Sequence, residues 1–116
     1  MGLGLWVKAI SKIETGMLEL DAGYNIKKAD AYVARMLRYS QKELVGVNIF
    51  SLVPKELRKV FADLLAEDVK SFEMELIRKD GGRVSILVWP DCVFENGIFK
   101  HGTLSVMEFI EKCVQA

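Results

Sequence analysis

The sequence predicts an α+β domain: a five-stranded antiparallel sheet with short helices and one longer helix on one face, preceded by an amphipathic helix. Three observations predict it. Apolar spacing is helical in several short stretches before Lys70 and switches to a period of two after it. Turn-forming runs stand where hairpins require them, at "DAGY", "KDGG" and "ENG". Strands and helices do not alternate along the chain, so parallel βαβ units are not expected; an early pair of strands and a late run of three join into one sheet.

Each element follows in order. "LGLWVKAISKIE" sets Leu5, Ala9 and Ile13 four apart, with Trp6 and Ile10 on the adjoining rows and Lys8 and Lys12 off the stripe. That spacing predicts a helix within residues 1–13. Gly16 breaks the pattern. "MLELD" alternates loosely and runs into the "DAGY" turn, and "NIKKA" is the returning strand. Asp30 can cap the following helix, "AYVARMLRYS", which carries Val33, Met36 and Leu37 at helical spacing. Ser40 and Glu43 form the S-x-x-E capping box of a short turn that ends at Gly46. "NIFSLV" is a further brief helix or turn. Pro54 suits the first turn of "PKELRKVFADLLAEDV", with Leu57, Val60, Phe61, Leu64 and Leu65 on one face.

Three antiparallel strands complete the chain. The first sets Phe72, Met74 and Leu76 against Glu73 and Glu75. The second carries Val84, Ile86, Val88, Cys92 and Phe94 on one face and Leu87, Trp89 and Val93 on the other, so both faces are partly apolar. Pro90 predicts a bulge in it, because proline cannot donate to the ladder. No repeat, linker or low-complexity segment interrupts the sequence.

Bulk numbers exclude several classes. The chain has 116 residues, enough for one domain with one core, and is 51% apolar and 28% charged. Sixteen basic residues balance sixteen acidic ones without clustering, so duplex nucleic acid is not an expected partner. Two cysteines and one histidine argue against a disulfide framework, a zinc site or a Ser-His-Asp triad. No apolar run reaches the length of a membrane span, and "MGLGLWVKAI" has no leading basic cluster. A soluble, cytoplasmic chain is expected, either whole or one module of a longer protein.

Several of these stretches together resemble a PAS domain over residues 14–112, with residues 1–13 as a flanking helix and 113–116 as a tail. "DAGYNIKKADAYVARMLRYSQKELVG" is similar to the PAS run ending in Gly-Tyr-Ser-x-x-Glu-Leu-x-Gly, and Gly23, Tyr39, Ser40, Glu43, Leu44 and Gly46 stand where that pattern wants them. "RKDGGRV" resembles the turn between the first two strands of the final run. "HGTLSVMEFIEK" resembles the last strand, although Glu108-Phe109-Ile110 replaces its frequent Asp-Ile-Thr end. Asp30 stands for a frequent Asn, and Arg38 for a frequent Gly.

The resemblance implies a sensory module of a signal-transduction protein, a histidine kinase of a two-component system or a transcriptional regulator, joined to other domains. The segment after Gly46 would close the mouth of a cavity, with Ile49 and Phe50 facing or plugging it. Candidate lining residues are Met36, Leu44, Ile49 and Phe50 from the short elements and Phe61 and Leu65 from the longer helix. The strands would add Met74, Leu76, Ile86, Val88, Leu104 and Val106. A small apolar or aromatic ligand would suit such a lining and a dicarboxylate would not; a fully packed core would show the same spacing. Leu5, Trp6, Ile10 and Ile13, with Leu87 and Trp89 on the second sheet face, form a candidate homodimer surface.

No cofactor is expected, with a non-covalently held flavin or other ligand left open by the resemblance. Light-sensing flavin domains of this kind carry a cysteine in Gly-x-Asn-Cys, and here "GVNI" puts Ile49 in that place. Haem-binding members commonly use a histidine on the long helix, which here has none. His101 reads as a surface or hairpin residue. Cys92 reads as an apolar strand residue and Cys113 as a tail residue, with nothing basic beside either to activate a thiol. Catalysis is not expected: Asp30 suits a cap, Asp91 a strand bulge, and Glu73 with Glu75 an exposed strand face.

Overall fold

Alternation after Lys70 builds the sheet. The structure, a computed structural model, describes residues 4–9, 14–108 and 110–115, and describes the first and last of these segments by their backbone. Five strands form one antiparallel sheet: β2 (Gly16–Leu20), β3 (Ile26–Ala29), β4 (Phe72–Ile77), β5 (Arg83–Glu95) and β6 (Ile98–Glu108), in the order β3-β2-β6-β5-β4. Register decides which side chains share the inner face. Met74 lies opposite Ile86, Val88 opposite Val106, and Leu104 opposite Leu18. All six are buried, so a slip of one residue would turn the whole apolar set outward.

The helices lie between β3 and β4 in sequence. Asp30 caps α1 (Ala31–Leu37): its carboxylate accepts from the Val33 N–H at 2.9 Å and, through its other oxygen, from Met17 N–H at 2.9 Å. One residue therefore starts the helix and ties it to β2. Helix α1 sits so close to that strand that a Cβ on Gly16 would fall 2.5 Å from Val33 Cγ2. Arg38 ends α1 in the left-handed region, at φ 65°. Ser40 and Glu43 form the capping box of α2 (Gln41–Leu44), and Gly46 then takes φ 90°.

A 3-10 turn at Ile49–Leu52 follows, capped by Asn48, whose side chain also donates to Gly23 O at 2.9 Å. The expected long helix from Pro54 is shorter than its pattern. Pro54 precedes a 3-10 turn at Lys55–Leu57, and α3 covers Arg58–Ala66, where Glu67 turns to extended backbone. The expected apolar face is kept in part: Phe61 and Leu65 are buried and Leu57 and Leu64 pack partly buried against the core, but Val60 turns outward and is exposed.

Three expectations are corrected. Within residues 1–13, Gly4–Ala9 form a strand, β1, not a helix. It pairs antiparallel with β7 (Ile110–Gln115), so residues assigned to a tail belong to a strand as far as Gln115. Leu5 and Ala9 fit a helical stripe, but with Val7 they alternate equally well, and Gly4, Trp6 and Val7 are poor helix formers, so long-range pairing decides the outcome. The remaining residues of that expected helix, Ile10 and Ile13 among them, lie outside the described residues. The bulge expected at Pro90 falls instead between Val93 and Phe94. Pro90 keeps register with Leu104, and the ladder with β4 has already ended at Phe72–Val88, so Pro90 sits on an edge where a missing N–H is tolerated.

Candidate functional site

The residues expected to line a cavity come together on the concave side of the sheet. Met36 from α1, Leu44 from α2, Ile49 from the 3-10 turn, and Phe61 and Leu65 from α3 meet Met74, Leu76, Ile86, Val88, Leu104 and Val106, all buried in one apolar cluster. Phe50 is half-buried and packs against that cluster. Backbone bonds fasten the covering segment to β3 and the turn before it: Ile26 donates to Val47 O at 2.8 Å, Gly46 to Ile26 O at 2.7 Å, and Ile49 to Tyr24 O at 2.9 Å.

Aromatic rings run through this interior in contact with one another. Tyr24 stacks on Phe99 with centroids 4.1 Å apart and meets Phe50 edge-on at 5.0 Å. Phe50 meets Phe61 at 5.6 Å, Phe61 meets Phe72 at 5.9 Å, and Phe94 meets Phe99 at 5.4 Å. These edge-on and stacked contacts add to the burial energy and fix the segment that carries Phe50. Tyr24, Phe72, Phe94 and Phe99 were not among the expected lining residues. Tyr24 stands in a turn at φ 64°, so its ring belongs to the interior although its backbone looks like surface.

A cavity of about 210 Å³ lies between the end of α3 with the residues after it and β5, lined by Leu65, Ala66, Glu67, Asp68, Val69, Pro90, Cys92 and Phe94. Of the expected lining, Leu65 alone borders it. Burial first, and Asp91 second, push the Cys92 thiol up from its ordinary range, which keeps it neutral and unreactive near neutral pH. Burial, with Cys92 nearby, likewise pushes the Tyr24 hydroxyl up. A second cavity, of about 290 Å³, lies outside the core beside α1 and is polar: Glu14, Tyr32, Arg35, Met36, Arg38, Arg78 and Glu108 line it.

The outer sheet face is also apolar in part. Leu87 lies opposite Met107, while Trp89 lies opposite Ser105, which pairs in turn with Met17. Leu87, Trp89 and Met107 are half-buried and Met17 is 51% exposed. Met17 and Met107 join the patch through register, which is why the sequence alone singled out Leu87 and Trp89. Leu5 and Trp6 are placed by register in β1, opposite Val114 and Cys113.

The candidate acids have structural partners or open positions. Asp30 is engaged through both oxygens as a cap, Glu75 pairs with Arg83 at 3.1 Å, and Asp91 is exposed on β5. His101 is exposed on β6, opposite Val93. Among the described residues no group of His, Cys, Asp and Glu could hold a metal ion, and no helix is long and apolar enough to cross a membrane.

This strand order, with the helices inserted between β3 and β4 and packed on one face, is that of the PAS fold, and the chain has it. It is similar to the PAS domain, in complex with ethanol, of a LuxR-family transcriptional regulator from Burkholderia thailandensis, with TM-score 0.69 and 13% identity over 86% of this chain and 93% of that one. It is similar to a PAS domain from a two-component sensor histidine kinase, with TM-score 0.66 and 12% identity over 81% of this chain and 84% of that one. The PAS domain of an HTR-like protein from Haloarcula marismortui matches with TM-score 0.64 and 19% identity over 85% of this chain and 84% of that one. Neither a family model nor a curated protein sequence matches the chain.

Proposed function

We propose that this chain is a non-catalytic sensory module of a larger signalling protein, and that it works by pairing two copies through the outer sheet face. The observation that carries this reading is the register that sets Leu87 beside Met107, and Trp89 and Met17 on either side of Ser105, on the face opposite the core. The concave side, in contrast, is filled by packed apolar side chains and their rings. An interior so filled transmits strain between its two sides, so repacking of the outer face is felt at the covering helices. The neighbours named as parts of a histidine kinase and of a transcriptional regulator suggest the kind of protein in which such a module serves.

Sedimentation over a range of concentrations tests pairing. The wild type should shift from monomer to dimer, and Trp89→Glu should remain monomeric with an unchanged circular dichroism spectrum. A wild-type chain that stays monomeric at high concentration rejects the reading.

A second reading, that the module takes a small apolar ligand, rests on the 210 Å³ cavity, where Leu65, Val69, Pro90 and Phe94 stand beside Glu67 and Asp68 at a polar rim. The neighbour with bound ethanol supports it as precedent. A ligand there acts only through unequal affinity for two packings of the domain. Native mass spectrometry and thermal shift with short alcohols and small aromatics check this. Phe94→Trp, which fills the cavity, should abolish any shift seen.

A further inference from the structure

We propose that the polar cavity beside α1 is an anion site, taking a small organic or inorganic anion through carboxylate or phosphate oxygens. It lies outside the apolar interior and has a different chemistry. Three arginines, Arg35, Arg38 and Arg78, line its roughly 290 Å³ together with Tyr32, and they outnumber the two acidic residues there, Glu14 and Glu108. That volume is near the lower end of the range for small-ligand clefts, about 300–1,000 Å³.

The three arginines are unequally committed. Arg78 is held in place: its Nε donates to Met36 O at 3.2 Å, one terminal nitrogen to Arg83 O at 3.3 Å, and the other to Glu108 Oε2 at 3.3 Å. Arg35 makes a looser pair with Glu14 at 3.6 Å, between two well-exposed side chains. The Arg38 backbone N–H donates to Arg35 O at 3.1 Å, while its exposed side chain makes no hydrogen bond or ion pair with any described residue and borders the same cavity. The Tyr32 oxygen accepts from the Glu108 N–H at 3.0 Å, which leaves its own proton free to donate. A guanidinium presents a planar set of donors that suits carboxylate and phosphate oxygens.

The backbone of Arg38 adds an independent reason. It is held at φ 65°, where a residue with a Cβ is strained and glycine is not. An arginine kept at a position that glycine fits better, bordering a cavity and with its side chain unpartnered among the described residues, is accounted for by an incoming anion. The Glu108 carboxylate on Arg78 then acts as an internal competitor that the anion must displace or share.

The test uses the whole chain, labelled with nitrogen-15, and two probes: citrate for carboxylate and inorganic phosphate for phosphate. Sodium chloride at matched ionic strength is the control. Saturable amide shifts at Tyr32, Arg38 and Glu108 with either probe, absent in chloride, are the expected result; the stronger probe identifies the oxygen type. Arg38→Gly should melt at a higher temperature than the wild type and yet bind about tenfold more weakly, as loss of one charge-assisted contact implies. Glu108→Gln should bind more tightly. Shifts that stay linear and match chloride overturn the proposal, as does an Arg38→Gly chain that binds as well as the wild type.

Discussion

Asp30 and Gly16 show how a single position carries more than its local role. Asp30 caps α1 and also accepts from Met17 in β2, so Asp30→Ala removes both bonds. A cap alone is worth about 1 kcal/mol, and the pair should cost about 1–2 kcal/mol in urea denaturation, with Asp30→Asn recovering part of it. Gly16→Ala should cost about 1–3 kcal/mol, because the new methyl meets Val33 Cγ2, Asp30 Oδ1 and the Tyr32 ring on a helix that cannot move without losing its cap. The two positions differ in how legible they are. A cap obeys a rule of neighbouring residues, and Asp30, Ser40 and Glu43 are all readable from spacing. Gly16 reads as a break in a pattern, and its need for space depends on a helix that begins fifteen residues later.

At the scale of elements, the turn between β4 and β5 is fastened to the ends of α1 and α2. Lys79 donates its N–H to Leu37 O at 2.9 Å and its ammonium pairs with Glu43. The hydrogen bond from Lys79, then that from the Ser40 N–H, holds the Glu43 carboxyl below the usual glutamate range, and the same partner raises Lys79. A lowered carboxyl contributes stability above its unfolded pKa and loses it as pH falls through the folded value. A raised ammonium contributes below its unfolded pKa and loses it as pH rises through the folded value. Stability should therefore fall on both the acid and the alkaline sides of neutrality. Urea midpoints measured across pH should show a shallower acid decline in Lys79→Met, and high salt should bring the wild type towards it, since both groups are exposed. Elements of strong local pattern, α1, α2 and the strands after Lys70, are readable in sequence. The segment at Gly4–Ala9 is not, because six residues fit two periods and only the partner strand chooses between them.

For the whole molecule, the sheet and its helical layer follow from turn chemistry and a change of apolar period, and they form as the sequence indicates. Whether the enclosed side chains leave a hollow does not follow. Phe61, Ile86 and Val106 would show the same spacing around a ligand or around each other, and the answer lies in rings such as Phe99 and Tyr24 brought from distant turns. Blue light should produce no flavin–thiol adduct in the absorption spectrum of the purified chain, since Ile49 stands where the adduct thiol would be, and no haem band is expected from α3, which carries no histidine. The ribbon of β1 and β7 has a mechanical consequence. Gly4 pairs with Gln115, so handles attached at the two ends pull on the same end of an antiparallel ladder. Force applied there peels rungs apart singly, as in a zip, before any load reaches β2 or β6. Stretched from its ends, the molecule should yield first in a small low-force step that leaves the sheet intact.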